Sequence, residues 1–276
     1  MTPDDWSALG AHMGRLAWTA FPFIMLAAML LAVLAGSLGL AWRRRSRPEA
    51  DAPPQVQRLV PGLAIGFLLI VGLASLFTLF ARHLGDGRPM GRMDDALSQA
   101  IGTHTPGWAR QAFSHFTHVG DPLPVTVFVL LFALFLRLRG HPGFAWGWLL
   151  ANAGNAVLNY SLKQVFERVR PVHDTLLVNA PGFSFPSGHS SAATVLWGML
   201  AYLCLRIGPR ALRLPMLALA AAMAVAIPAS RVFLQAHFLT DVVAGLCSGA
   251  AWLAISILSA ESARHRRRAR LYVPAG

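Results

Sequence analysis

The chain has 276 residues, 55% of them apolar and 13% charged, with a mean hydropathy of +0.51. That composition excludes an ordinary soluble domain and makes the bilayer the expected solvent. The net charge of +12 does not point to nucleic acid, because the arginines fall in short tracts between apolar runs and no nucleic-acid motif accompanies them.

About 20 helical residues cross the hydrocarbon core of a bilayer. Apolar runs near that length occur at 16–42, 59–81, 122–138, 144–162, 187–206, 213–230 and 238–260, the third being the shortest. They predict an all-α, polytopic membrane helix bundle. The first run follows Asp4 and Asp5 and precedes Arg43, Arg44, Arg45 and Arg47. A secretory signal carries its positive charge in front, so this run reads as a true span with its amino end outside. Residues 1–58 then form an added span and a proline-containing cytoplasmic link, 59–260 a six-span core, and 261–276 a basic tail.

Between the second and third runs, Asp94-Asp95-Ala96-Leu97 and, after Pro106, Trp108, Ala112 and Phe116 at helical spacing predict two short amphipathic helices on the membrane surface. His104, His115 and His118 lie in the same stretch without carboxylate or cysteine partners at ligand spacing, so no metal is assigned. Cys204 and Cys247 sit inside apolar runs, and no disulfide framework is indicated. In the fourth run Asn152, Asn155 and Asn159 recur at helical spacing, a pattern that favours hydrogen bonds between helices over a role for Asn159 beside the site.

The basic residues fall unevenly on alternate sides of a seven-span arrangement. Arg43–Arg47 and Arg58, Arg137 and Arg139, Arg206, Arg210 and Arg213, and the Arg264–Arg270 tract share one side, which the positive-inside bias makes cytoplasmic. The carboxyl terminus is therefore cytoplasmic, with the tail against anionic headgroups.

Chemistry gathers on the other side. Lys163, Arg170 and Arg231 can clamp phosphoryl oxygens, the arginines through forked donors and the lysine as a compact charge. Lys163 is the sole lysine among 24 basic residues. Pro186-Ser187-Gly188-His189 opens a helix whose first N–H groups lack helical partners, which makes an anion site. Gly188 lets the backbone approach a phosphate. His237 and Asp241, four residues apart, share one helix face, so the carboxylate can hold one ring nitrogen and leave the other as a nucleophile. His189, on a different helix, is the candidate general acid. An unpaired Asp241 one turn into a span would be unfavourable by up to roughly 2.5–3.5 kcal/mol.

Read together, Lys163 with Arg170-Pro171, Pro186-Ser187-Gly188-His189, and Ser230-Arg231 with His237 and Asp241 resemble the three-part signature of the type 2 phosphatidic acid phosphatases. The resemblance covers the six-span core. It implies that His237 attacks phosphorus to give a phosphohistidine, that Asp241 orients it, and that His189 protonates the departing oxygen. It implies further that Lys163, Arg170, Ser187, Gly188 and Arg231 bind the phosphate, with no metal and no cofactor.

Membrane residence points to a lipid substrate whose headgroup reaches an outward-facing site in a bacterial inner membrane. Undecaprenyl diphosphate is the first expectation, ahead of phosphatidylglycerol phosphate and phosphatidic acid. A phosphotransferase acting on a lipid such as lipid A shares the first half-reaction and stays open. A scaffold or transporter without chemistry would show a substituted motif position, and none is present.

Overall fold

The computed structural model describes residues 2–45, 60–83, 88–171 and 181–271, and among these the regular structure is entirely helical. The proline-containing link at 47–58 lies outside the described residues, as does the end of the tail from 272. The helices are α1 (Pro3–Arg45), α2 (Val60–His83), α3 (Pro89–His104), α4 (Gly107–Phe116), α5 (Pro122–Leu138), α6 (Pro142–Phe166), α7 (Gly188–Ile207), α8 (Arg213–Phe233) and α9 (Leu239–Leu271). Short 3₁₀ turns, Thr117–Gly120 and Arg210–Leu212, precede α5 and α8.

Helix starts follow the sequence chemistry. Pro89, Pro122 and Pro142 occupy first-turn positions, where a missing N–H costs nothing. Ser187 caps α7 by accepting from the Ser190 amide. The chain leaves α6 through Glu167 at φ 43, a left-handed residue closing the helix.

Each predicted span is a helix, but several run longer. α1 begins at Pro3 rather than 16 because its first turns pack on α3: a methyl group at Gly14 would stand 2.6 Å from Ala100 Cβ, and one at Gly10 would collide with the Met93 carbonyl. α9 continues past 260 into a polar cluster where Glu261 meets Arg206 and Arg264.

Five helices, α1, α2, α7, α8 and α9, are long and apolar enough to cross a bilayer on their own. α5 has 17 residues and becomes a sixth crossing only together with the Gly107–Gly120 segment, from which it bends by 44°. α6 has the length, 25 residues, but its asparagines and Lys163 dilute its apolarity, and it is not among the five. It packs between α5 and α7 and against α9.

Two cores hold the bundle. Val129, Leu136, Trp148, Val195 and Met199 join α5, α6 and α7, with Trp252 of α9 packed alongside. Leu97, Ile101, Phe113 and Phe233 join α3, α4 and α8, with Trp18 and Phe21 of α1 set against them. The inward face of α4 is Ala109 and Phe113, not the Trp108, Ala112 and Phe116 stripe; Trp108 is 68% exposed. α4 therefore buries the face adjacent to the predicted one, because the Phe113 ring stacks on Phe233 at 5.0 Å. Residues such as Phe23, Phe67, Leu68 and Leu131 face outward, as a helix surrounded by lipid requires.

Where α7 and α9 cross, side chains vanish. A methyl group at Gly245 would lie 2.5 Å from the Ser187 carbonyl oxygen and 2.8 Å from Ser190 Cβ. That close approach lets the Ser187 amide donate to the Asp241 carbonyl at 2.9 Å, which ties the start of α7 to the start of α9.

Candidate active site

The amino ends of α7 and α9 and the carboxyl ends of α6 and α8 meet at one end of the bundle, and the three motif fragments meet there. The loop 234–238 between α8 and α9 is shaped by Gln235, held at φ 53. Its side-chain amide donates to the Ser98 carbonyl of α3 at 2.8 Å, so a tertiary contact fixes a backbone conformation rarely adopted by a non-glycine residue.

His237, 3% exposed, follows directly. Its Nδ1 lies 3.5 Å from Asp241 Oδ2 and 3.3 Å from the Ser184 hydroxyl. On the far side of the ring, Arg170 Nη1 is 3.0 Å from Nε2. A guanidinium only donates, so Nε2 must carry a lone pair and Nδ1 the proton. Burial, opposed by Asp241 and assisted by Arg170, pushes the His237 pKa down to about 3, so the ring is neutral at ordinary pH.

The three candidate clamp cations are anchored by carbonyls and hydroxyls. Arg170 Nη1 donates to the Ala236 carbonyl at 2.8 Å and Nε to Gly182 at 2.9 Å. Lys163 Nζ donates to the Phe183 carbonyl, which also accepts from Arg170 Nη2 at 3.3 Å. Arg231, 2% exposed, donates from Nη1 to Thr117 Oγ1 at 2.8 Å, while its Nε has no partner among the described residues. Burial lowers the pKa of Arg170 even though Asp241 pulls it up.

Ser187 lies at the entrance of α7 with its hydroxyl engaged by the Ser190 hydroxyl at 2.9 Å. Gly188 faces Asn159, whose Oδ1 would stand 3.1 Å from an added methyl. His189 begins the same helix, its Nε2 3.0 Å from Asp121 Oδ1. The eight residues singled out in the sequence therefore share one end of the bundle.

Several partners of these residues were not singled out. Arg168 bridges two fully buried carboxylates, donating to Asp241 Oδ1 at 2.6 Å and to Asp94 Oδ2 at 2.9 Å. It also donates to Thr240 Oγ1 at 2.8 Å and covers the Phe238 ring at 4.2 Å. Asp94 accepts from the Thr240 amide at 3.2 Å and from its hydroxyl. Burial raises the Asp94 pKa against the pull of Arg168 and Thr240. Ser184 donates to Asp241 Oδ2, to which the Phe238 amide also donates at 3.0 Å. A signal for Asp94 existed: it shares the stripe of Leu97, Ser98 and Ile101 on α3, where a carboxylate in a buried face needs a cation. For Asp121, directly before Pro122, the sequence offers no signal beyond a helix start.

Of the asparagines, Asn155 does bond between helices, to Ser191 Oγ at 3.4 Å, whereas Asn152 turns back to its own helix at the Trp148 carbonyl, 2.9 Å. His104 likewise bonds the Ala100 carbonyl of its own turn at 2.9 Å. Among the described residues no three His, Cys, Asp or Glu side chains are grouped to hold a metal ion.

Fold and site define a polytopic, all-helical membrane protein with imidazoles, guanidiniums and a lysine collected at one end of the bundle. The PAP2 superfamily model matches residues 143–264. Phosphatidylglycerophosphatase B of Bacillus subtilis (strain 168) is 33% identical over 167 residues, which is 56% of this chain and 77% of that one. The crystal structure of the transmembrane PAP2-type phosphatidylglycerolphosphate phosphatase from Bacillus subtilis superposes with a TM-score of 0.65 at 27% identity, covering 70% of this chain and 96% of that one. Aquifex aeolicus LpxE gives a TM-score of 0.46 at 25% identity over 58% of this chain and 92% of the other. The chain belongs to the PAP2 superfamily and is a membrane lipid phosphatase.

Proposed function

We propose that the protein hydrolyses a phosphate monoester of a membrane lipid, phosphatidylglycerol phosphate first among them, through a phosphohistidine on His237 at the outer face of a bacterial inner membrane. The observation that carries this reading is the pairing of His237 Nε2 with Arg170 Nη1 at 3.0 Å, which leaves an unprotonated ring nitrogen beside a phosphate-binding cation.

The steps follow from the placement of the groups. Lys163, Arg170 and Arg231, with the first amides of α7 behind Ser187 and Gly188, neutralise the phosphoryl oxygens. The buried Nε of Arg231 and Nδ2 of Asn159, both without partners among the described residues, are further donors for those oxygens. His237 Nε2 attacks phosphorus while Asp241 stabilises the charge that develops on the ring through Nδ1. His189 gives a proton to the departing lipid oxygen and takes one from the water that later splits the phosphorus–nitrogen bond.

One feature supports the outward orientation. Arg137, Arg139, Arg206, Arg210, Arg213 and Arg264 lie at the helix ends opposite the site, and the positive-inside bias assigns those ends to the cytoplasm. The substrate preference rests on the 33% identical relative that bears the name phosphatidylglycerophosphatase B. Undecaprenyl diphosphate, the first expectation from the sequence, is the comparison arm.

Purified protein in detergent with EDTA present should release phosphate from phosphatidylglycerol phosphate with a higher kcat/KM than from undecaprenyl diphosphate, and His237→Ala should abolish both. The reverse order would move the reading to the diphosphate. Radiolabel appearing on an acceptor lipid instead of as free phosphate would make the enzyme a transferase.

A further inference from the structure

The turn joining α4 to α5 reaches the site from outside residues 143–264, where the family model matches. Thr117 Oγ1 accepts from Arg231 Nη1 at 2.8 Å and from the Ser230 hydroxyl at 3.1 Å. Gly120 lies against the His189 ring, so closely that a methyl group there would stand 2.7 Å from His189 Cδ2 and 2.8 Å from Ile227 Cγ2. Asp121 divides its carboxylate between two imidazoles, with Oδ1 3.0 Å from His189 Nε2 and Oδ2 2.7 Å from His118 Nδ1.

The position of Asp121 makes this arrangement informative. It occupies the N-cap of α5, where an aspartate ordinarily accepts from amides of the first turn. Its side chain makes no capping bond. The carboxylate is turned away from the helix and toward the histidines, so its presence is not explained by helix stability.

We propose that Asp121 is a positioning residue for His189: it holds the Nε2–H, aims Nδ1 at the leaving oxygen and stabilises the positive charge the ring carries whenever it is protonated. His118 fixes the second carboxylate oxygen, and Gly120 leaves room for the ring. The proposal rests on the reading of His189 as the general acid. The other charged groups facing His189 are Arg231 from α8 and Arg170 from the loop after α6, and both oppose a positive imidazole. Asp121 itself faces His118 and His189, whose hydrogen bonds outweigh burial and hold its pKa below the usual carboxylate value.

The bonds balance without another reactant. As the bond from His237 Nε2 to phosphorus forms, the phosphorus–oxygen bond to the lipid breaks and the Nδ1 proton of His189 passes to the departing alkoxide. Water then attacks phosphorus, gives a proton to Nδ1, and the phosphorus–nitrogen bond breaks to release phosphate. A glycerol alkoxide needs that proton to leave. A nitrophenolate does not.

The full chain in detergent should be assayed with dioctanoyl phosphatidic acid and with p-nitrophenyl phosphate, reading kcat/KM, which reports the first half-reaction. Asp121→Asn should lose about 100-fold on phosphatidic acid, the scale of one acid–base contribution, and clearly less on p-nitrophenyl phosphate. Asp121→Ala should show the same selectivity, and Asp121→Glu should recover part of the loss. The unfolding temperature of Asp121→Asn should match the parent, since no cap is removed. An equal loss on both substrates, or no loss on either, overturns the proposal if His189→Ala discriminates between them. If His189→Ala does not discriminate either, the general-acid reading itself falls and the proposal with it.

Discussion

Arg168 joins Asp94 and Asp241, and each of those carboxylates is fully buried. Removing one partner of a buried ion pair strands the others in a medium of low dielectric, at a cost of roughly 3–5 kcal/mol. Arg168→Met should therefore lower unfolding stability in detergent by that order, and adding Asp94→Asn should return part of it in a double-mutant cycle. If the two losses simply add, the pair is not coupled. Arg231→Ala, by contrast, should act chiefly on turnover, lowering kcat by about 100–1,000-fold as loss of one oxyanion donor does. An unchanged kcat would remove Arg231 from the clamp. His237 makes a pH prediction. In the proposed mechanism His237 attacks in its neutral form, and its pKa is lowered from 6.5 to about 3. The nucleophile is thus retained as pH falls through the ordinary histidine range and is lost only near the lowered pKa. The acid limb of kcat/KM should show no step near 6.5 in the parent.

α1 is connected to this chemistry through α3. Gly10 and Gly14 let α1 lie on α3, α3 carries Asp94, and Asp94 holds Thr240 and Arg168 next to Asp241. A larger side chain at this contact must push the helices apart, at about 1–3 kcal/mol for an overpacked site. Gly14→Leu should reduce both stability and activity, whereas Gly39→Leu on the same helix should change neither, because an added methyl at Gly39 meets nothing within 4 Å among the described residues. Equal effects of the two substitutions would show that α1 acts only as a membrane anchor. α7 and α9 depend on the same device at Gly245, where the start of each helix is held against the other.

Over the whole molecule, the polar chemistry occupies one end of the bundle, and Arg137, Arg139, Arg206, Arg210, Arg213 and Arg264 lie at the other. An aqueous outer face at the site would let phosphate leave without crossing the membrane. With Cys204 and Cys247 replaced by serine, Val119→Cys on the site side should react with a membrane-impermeant maleimide in intact spheroplasts. Arg210→Cys at the opposite end should react only after permeabilisation. Both positions are exposed, Val119 at 47%, so reagent access and not burial decides the outcome. The opposite labelling pattern would place the site in the cytoplasm.

The residues alone determined the helices and named the side chains that the fold gathers at one end of the bundle. Apolar runs of spanning length, prolines and a serine at helix starts, and the spacings within each motif are local properties, fixed over one or two turns of chain. His237 and Asp241 share a face for that reason, and Ser187 caps α7. Local order could not say where a helix continues beyond the lipid, so α1 and α9 ran past their predicted limits, nor which flank of α4 turns inward. Only the tertiary structure decided the partners that complete the site: Arg168 with Asp241, 73 residues away, and His189 with Asp121, 68 residues away. Helix packing desolvates these groups, and a desolvated charge takes whichever partner the crossing brings within reach, at a separation the sequence does not encode.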